Sequence, residues 1–150
     1  MSSSPRRRAR ELALQGLYER QLAGSAATQV FADLTASGGY RHADQPYFAE
    51  LWEGAAGGYD ALLARVAPLL DRSPASLSPI ERAVMVIGAW ELVHRLEIPY
   101  RVVINEAVEL AKDFGGTDGH KYVNGVLDRL AADVRAPEIA ALARERGTAS

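Results

Sequence analysis

Hydrophobic residues along this chain recur every three or four positions, the spacing of one face of an α-helix. The longest such pattern runs from Pro46 to about Leu70, where Gly57-Gly58 is expected to kink or weaken the helix. No alternation of apolar and polar residues is long enough to predict a β-strand. Further helices are predicted at 5–22, about 28–36, about 78–96, about 101–114 and about 118–134, with a short helix after Pro137 and a loose tail from about residue 146. About seven helices with short connections predict an all-α bundle, a single domain over residues 1–150.

The central helix has the clearest start. Ser78 precedes Pro79, and Glu81 stands three residues after the serine, which is the sequence of a capping box. The eight residues from Ala83 to Trp90 carry no charge. This helix is therefore predicted to be buried on most sides and central to the fold.

The first helix has apolar residues on two opposite sides. At 100° per residue, one side carries Ala9, Leu12, Ala13, Gly16 and Leu17, and the other carries Leu14, Tyr18 and Leu22. Because a surface helix needs only one apolar face, the second side must be covered. Either more of this chain covers it inside the bundle, or it forms an exposed stripe that receives a partner protein.

Positive charge is concentrated at the N-terminus, although the whole chain has a net charge of −2. Residues 1–10 contain Arg6, Arg7, Arg8 and Arg10 and no acidic residue. Guanidinium groups bind phosphates and stack on unpaired bases, and the positive end of the helix dipole adds to the attraction. The cluster fits a nucleic-acid site; the alternative is a solvated tail that carries charge only for solubility.

A glycine-rich break separates the last two long helices. Gly115-Gly116 ends one helix, and Thr117 or Asp118 can cap the next. Lys121 adds a positive charge to the first turn, and Tyr122 is displaced by ~100° from the core stripe, at the edge of the core. An aromatic ring beside a lysine and a helix N-terminus suits stacking on a base of a single strand. In the alternative interpretation, Tyr122 packs under the preceding loop and Asp118 is only a cap.

Composition argues against several other classes of protein. The 150 residues include no cysteine, which excludes disulfides, thiolate zinc sites and a cysteine nucleophile, and fits a reducing, cytoplasmic compartment. No stretch reaches the roughly 18 uncharged apolar residues of a membrane span. His42, His94 and His120 are scattered without metal-ligand spacing, and glutamate pairs are common on solvated helix faces. The chain is therefore predicted not to be an enzyme and to have neither cofactor nor metal.

Together these residues resemble the NusB family of bacterial transcription antitermination factors. The resemblance is carried by RRRARE followed by Leu14, Leu17 and Tyr18, by Glu81-Arg82, and most densely by the segments IPYRVVINEAVELAKDFG and HKYVNGVLD. It covers nearly the whole chain but is weak from about Gly24 to Leu77. Several separated motifs in the same order make the likeness specific.

The resemblance implies an all-helical fold of two packed sub-bundles with two binding surfaces. One surface would bind single-stranded boxA RNA of ribosomal RNA leader transcripts, through Arg6, Arg7, Arg10, Asp118, Lys121 and Tyr122. The other would bind a small-subunit ribosomal protein, called NusE in this role, through Tyr18, Leu22 and Glu81. Other Nus factors and RNA polymerase would complete the complex. Tyr122 stands where the family often has phenylalanine and keeps the stacking face. The arginine end of the first helix is expected to lie near the glycine break.

Two other functions fit parts of the pattern. One is the NusB-like RNA-docking module of an RNA methyltransferase, which would need a downstream catalytic domain with a glycine-rich cofactor loop; the sequence reaches Ser150 without one. The other is a helical scaffold that binds only proteins. An exposed Leu/Tyr stripe could also pair two copies of the chain when the partner is absent.

Overall fold

Capping residues set where the main helices begin. In the computed structural model, which describes residues 4–116 and 118–148, the Ser4 hydroxyl accepts a hydrogen bond from the Arg7 amide at 3.1 Å and opens the first helix. Ser78 and Glu81 form the predicted capping box, each side chain accepting from the other's backbone N–H. Asp44 caps a third helix by accepting from the Tyr47 amide; the start near Pro46 was predicted, but the capping residue was not.

The described residues form eight α-helices and three short 3-10 helices, without a β-strand. The 3-10 helices lie at Gly38–His42, Ala67–Leu69 and Pro74–Ser76. The α-helices are α1 (Pro5–Ala23), α2 (Ala27–Thr35), α3 (Gln45–Gly57), α4 (Tyr59–Val66), α5 (Pro79–His94), α6 (Tyr100–Phe114), α7 (Gly119–Val134) and α8 (Ala136–Thr148). The all-α prediction is confirmed, and most boundaries agree within one or two residues.

One prediction about helix extent was wrong. The single helix expected over 46–70 is two helices, because the chain turns at Gly58, whose backbone leaves the helical region (φ −105°, ψ 18°). The carbonyl of Gly54 lies 2.8 Å from where a Cβ on Gly58 would stand, so only glycine fits this turn. After Pro137, where a short helix was expected, the described part of the chain continues as a 13-residue helix from Ala136 to Thr148.

The helices pack as two groups joined through α1 and α5. On one side α2 and α3 pack against α1, and on the other α4, α6 and α7 pack against α5. As predicted, every residue of α5 from Ala83 to Trp90 is buried. Close packing between the groups depends on Gly54 of α3, where the Trp90 indole lies against the helix backbone and leaves no space for a Cβ. The core is therefore continuous across both groups.

Buried Arg135, just after α7, closes the C-terminal end of α5. Its guanidinium donates to the carbonyl oxygens of Glu91, Leu92, Arg95 and Ile98 at 2.7–3.2 Å. Those of Glu91 and Leu92 belong to the last turn of the helix; the Glu91 carbonyl also accepts from the Arg95 amide at 2.9 Å, whereas carbonyls beyond it lack an intrahelical partner. Glu138 of α8 balances the charge with an ion pair to Arg135 at 2.5 Å. One side chain thus ties together the ends of three helices.

Helix directions decide which residues can meet at the functional site. Arg10 of α1 meets Glu91 near the end of α5, and Gln21 donates to the Pro79 carbonyl at its start at 2.9 Å, so α1 and α5 are antiparallel. Arg7 meets Glu106 in the middle of α6. The later residues of α1 share a groove with Phe114, the last residue of α6. Helices α1 and α6 therefore run in the same direction.

Candidate nucleic-acid and partner-protein interface

The fold brings carboxylates that are distant in sequence to the arginine cluster of α1. Arg7 donates two hydrogen bonds to Glu106, from Nε at 3.0 Å and from Nη2 at 2.5 Å. These bonds are the main cause that lowers the pKa of the Glu106 carboxyl. Arg6 lies 3.8 Å from Asp44 and stacks over the Tyr47 ring, 4.2 Å from its centroid. Arg6 and Arg7 remain 40% and 37% exposed, so both can still reach a ligand.

Arg10 does not lie on this surface. It is 3% exposed, its Nε donates to both carboxylate oxygens of Glu91 at 3.0 and 3.1 Å, and its Nη1 donates to Glu106 at 3.1 Å. A guanidinium that is enclosed and paired in this way does not contact a phosphate at the surface. The prediction that Arg10 neutralises phosphate therefore needs correction: Arg10 holds Glu106 in position, and Glu106 in turn orients Arg7.

Tyr47 and Glu91 complete a buried polar network beneath the arginines. The Tyr47 hydroxyl donates to Glu91, which is 1% exposed. Burial is the largest cause that raises the pKa of Glu91 and also that of Tyr47. Because the network joins residues of α1, α3, α5 and α6, it fixes the N-terminal end of α1 against the rest of the fold.

The second apolar side of α1 is partly covered by the chain and partly exposed. Leu14 is only 2% exposed, whereas Tyr18 and Leu22 are 38% and 61% exposed. Leu14 and Tyr18 line a groove of about 480 Å³ together with Ile80 of α5 and Phe114 of α6, which is itself 49% exposed. The chain itself therefore covers Leu14, and the role of the rest of this side as a partner surface stays a prediction. An exposed apolar surface remains at Tyr18, Leu22 and Phe114.

Glu81 joins this apolar surface to the glycine break. Its carboxylate belongs to the capping box of α5. The same carboxylate packs closely against the first residue of α7, because its Oε2 atom lies 3.2 Å from where a Cβ on Gly119 would stand. Asp118 does not form the expected side-chain cap of α7; instead Lys121 Nζ lies 3.7 Å from its carboxylate, and both side chains are largely exposed. The other possible cap, Thr117, lies outside the described residues.

Tyr122 is at the edge of the core, as predicted, but its ring has a partner. The hydroxyl donates to Asp71 Oδ1 at 2.8 Å and accepts from the Asp71 amide at 3.1 Å. The guanidinium of Arg72 lies over the ring, 4.0 Å from its centroid. Tyr122 thus packs under the segment before α5, and not under the loop that precedes it in sequence. Asp71 and Arg72 belong to the divergent segment, whose contacts the sequence could not supply.

The arginine end of α1 and the glycine break make no direct contact with each other among the contacts described above. Arg8 lines the groove beside Tyr18 and Phe114, and Phe114 is the last residue of α6 before Gly115. Arg7 meets α6 at Glu106, eight residues before Phe114, which corresponds to about 12 Å along the helix. The expected proximity of the two sites stays a prediction.

Several residues of the interface had no signal in the sequence. Nothing local indicates that Glu91 and Glu106 face arginines that precede them by 81 and 96 positions. Phe114 was predicted only as the end of a helix. The available signal was a large apolar side chain at a helix end, directly before two glycines. In the described part of the chain, no helix is long and apolar enough to cross a membrane, and no cluster of three acidic or histidine side chains could hold a metal ion.

The fold and the site define a class of helical binding protein in which a basic helix end and an exposed aromatic groove adjoin. The NusB family profile matches residues 7–132 of this chain. The chain is 54% identical over 134 residues to the transcription antitermination protein NusB of Thiobacillus denitrificans, covering 89% of this chain and 92% of that one. With the NusB of Paraburkholderia phymatum it shares 53% identity over 143 residues, 95% of this chain and 99% of the relative. This chain belongs to the NusB family, whose members are transcription antitermination factors and not enzymes.

Solved structures agree with the fold. T. maritima NusB superposes with a TM-score of 0.77 at 26% identity, over 89% of this chain and 94% of that chain. A structure of antitermination factors NusB and NusE in complex with dsRNA matches with a TM-score of 0.75 at 24% identity, over 83% of this chain and 93% of that chain. The resemblance to NusB inferred from the sequence is confirmed.

Proposed function

We propose that this protein acts in the cytoplasm as an antitermination adapter, binding boxA RNA of ribosomal RNA transcripts and a small-subunit ribosomal protein on adjoining surfaces of one domain. The observation that carries the proposal is the groove: Arg8 of α1 lines it together with Tyr18 and Phe114, and Phe114 directly precedes the glycine break that is followed by Lys121. A single strand that runs from the arginine end towards the glycine break would pass these aromatic rings. Other Nus factors and RNA polymerase would then join the assembly.

The RNA surface uses exposed cations and one aromatic ring. Arg6, Arg7 and Lys121 neutralise phosphates, since each keeps more than a third of its side chain exposed. Tyr122 stacks on a base, and Asp118 beside Lys121 orients the start of α7. Arg10 supports this surface from below through Glu106.

The partner surface is apolar with one carboxylate at its edge. Tyr18, Leu22 and Phe114 supply large exposed side chains, and Ile80 supplies part of the groove wall. Aromatic anchors of this kind dominate the binding energy of protein interfaces. Glu81 lies where this surface meets the glycine break, so a partner bound here would also border the RNA. The same surface could pair two copies of the chain when the ribosomal protein is absent.

The relatives favour this function over an RNA-docking module of a methyltransferase. The antitermination relatives are themselves covered over 92% and 99% of their length by this chain. A solved structure of this fold holds NusB, NusE and RNA together, which supports a joint interface. A scaffold that binds only proteins would give no role to the exposed cations Arg6 and Lys121.

The RNA assignment is tested by titrating a short boxA-like RNA and a scrambled RNA at two salt concentrations. Replacing both Arg6 and Arg7 by alanine should weaken binding and reduce the salt dependence, by about 0.7 in the logarithmic slope for each phosphate of a single strand that is no longer neutralised. Arg146→Ala, which removes an exposed arginine of α8, is the matched control. Equal affinity of the double variant and the control at moderate salt would refute the RNA surface.

The partner assignment is tested by Tyr18→Asp in a pull-down with the ribosomal protein. The substitution should abolish the heterodimer and leave the helical circular-dichroism spectrum intact, because the side chain is exposed. Leu96→Asp is the control, since Leu96 is 64% exposed at the other end of α5. If Tyr18→Asp unfolds the protein, or if both variants bind equally, the stripe is not a partner surface.

A further inference from the structure

The segment just before α5 contributes a cation to the edge of the RNA surface. Leu69, Asp71 and Arg72 all contact α7: Arg129 donates to the Leu69 carbonyl at 3.2 Å, and Tyr122 bonds to Asp71 at two atoms. Because two positions of α7, two turns apart, hold this segment, Arg72 has a defined place over the Tyr122 ring. None of these contacts could be expected from the weakly matching sequence of this region.

Resting on the proposed function, we propose that Arg72 is a further RNA-contacting residue, which Asp71 holds over Tyr122 in the free protein and which an RNA phosphate takes over in the complex. A base that stacks on Tyr122 places its nucleotide beside a guanidinium already centred 4.0 Å from that ring. The Arg72 side chain is 46% exposed, so a phosphate can approach it without any rearrangement of the core.

Asp71 is the group with which the phosphate competes. Arg72 Nε donates to Asp71 Oδ1 at 2.9 Å, and the same oxygen accepts from the Tyr122 hydroxyl. The ion pair is exposed on both sides, with Asp71 at 70%. Exposed ion pairs and exposed cation–π contacts are weak, each changing an equilibrium by roughly two- to fivefold. Giving them up costs less than a guanidinium–phosphate contact gains.

The hydroxyl of Tyr122 makes this arrangement specific to a tyrosine. A phenylalanine at this position would keep the ring but would lose both hydrogen bonds to Asp71. The hydroxyl thus links the stacking residue to the loop that carries the cation. An orienting contact of this kind keeps Arg72 near the ring before RNA arrives, so less conformational freedom is lost on binding.

The test compares four variants of the full chain, one of them a control, by titration with the same short boxA-like RNA at two salt concentrations. Arg72→Ala should weaken binding about five- to tenfold and lower the salt slope by roughly 0.7. Asp71→Asn should tighten binding about two- to fivefold, because the amide oxygen still accepts from Tyr122 but the competing charge is gone. Arg146→Ala, the charge-matched control on α8, should change affinity less than twofold.

Two results would overturn the inference. The first concerns Arg72→Ala. If this variant matches the control, Arg72 does not contact the RNA; if it binds more tightly than the wild type, Arg72 blocks the Tyr122 ring. The second is weaker binding by Asp71→Asn, since that would make the aspartate a support and not a competitor. Lys121→Ala separates this inference from the proposed function: if it weakens binding while Arg72→Ala does not, only the role of Arg72 is wrong. If neither variant affects binding, the RNA surface itself is refuted.

Discussion

Replacing Arg10 by alanine separates the structural role of the arginine cluster from its binding role. The side chain is 4% exposed and donates three hydrogen bonds, two to Glu91 and one to Glu106. After truncation Glu106 keeps its two bonds from Arg7. Glu91 keeps only the Tyr47 hydroxyl and becomes a buried carboxylate without a cation. The substitution should therefore act on folding more than on RNA.

The size of the effect follows from that uncompensated charge. Breaking a buried ion pair by removing one partner costs about 3–5 kcal/mol, which is a large part of the free energy of unfolding of a typical domain. Burial already raises the pKa of Glu91, and loss of Arg10 removes the largest opposing influence. Glu91 of the variant therefore binds a proton more readily in the folded state. The stability deficit should be largest near neutral pH and should shrink as the pH falls towards the pKa of the folded variant.

Urea unfolding followed by tryptophan fluorescence measures this directly, since Trp52 and Trp90 are both buried. Glu91→Gln in the Arg10→Ala background is the control: it removes the stranded charge and should recover part of the lost stability at pH 7. At salt concentrations where enough of the variant is folded to saturate the RNA, the slope of log affinity against log salt should match that of the wild type. A stability change under about 1 kcal/mol combined with a reduced salt slope would refute the reasoning, because it would make Arg10 a phosphate contact.

Three further predictions test the packing and the electrostatics. Arg135→Met should lower the free energy of unfolding by about 3–5 kcal/mol in urea melts, because the buried carbonyls at the end of α5 lose their donor; a change under about 1 kcal/mol would show that water replaces the guanidinium. Gly54→Ala should cost about 1–3 kcal/mol in the same melts, because a Cβ there meets the rigid Trp90 indole, and an unchanged midpoint would mean that α3 shifts freely. Glu106 has a lowered pKa, so its pairing with Arg7 stabilises the fold above the unfolded pKa near 4.5 and is lost as the pH falls through the folded value. Glu106→Gln should therefore flatten the pH dependence of the melting temperature below about 4.5, and an identical acid profile would refute this role.

Much of the fold could be predicted from the sequence because its signals are local. The capping box at Ser78 and the uncharged stretch of α5 depend on residues within a few positions of one another, and both predictions were confirmed. The break at Gly58 was less predictable, because a glycine pair permits a kink or a separation into two helices equally well. The close approach to the Gly54 carbonyl decides between them, and it exists only in the folded chain.

The site was less predictable because its charged side chains pair with residues that lie far away in the sequence. The sequence placed Tyr18 and Leu22 together on a second apolar side of α1, and both are exposed; their role as a partner surface stays a prediction. It could not show that Arg10 is enclosed, since the carboxylates responsible lie on helices more than 80 positions away. The same limit applies to Tyr122, whose partner Asp71 precedes it by 51 positions.

The pairing of the arginines changes how strongly this surface attracts RNA. Arg7 forms an ion pair with Glu106, and Arg6 lies near Asp44. A phosphate must therefore compete with a carboxylate at each position. Such a surface holds an arbitrary polyanion weakly, because much of the electrostatic gain is spent in displacing the internal partner. Under the proposed function, selective binding then requires a contribution that a random strand lacks, such as base stacking at Tyr122.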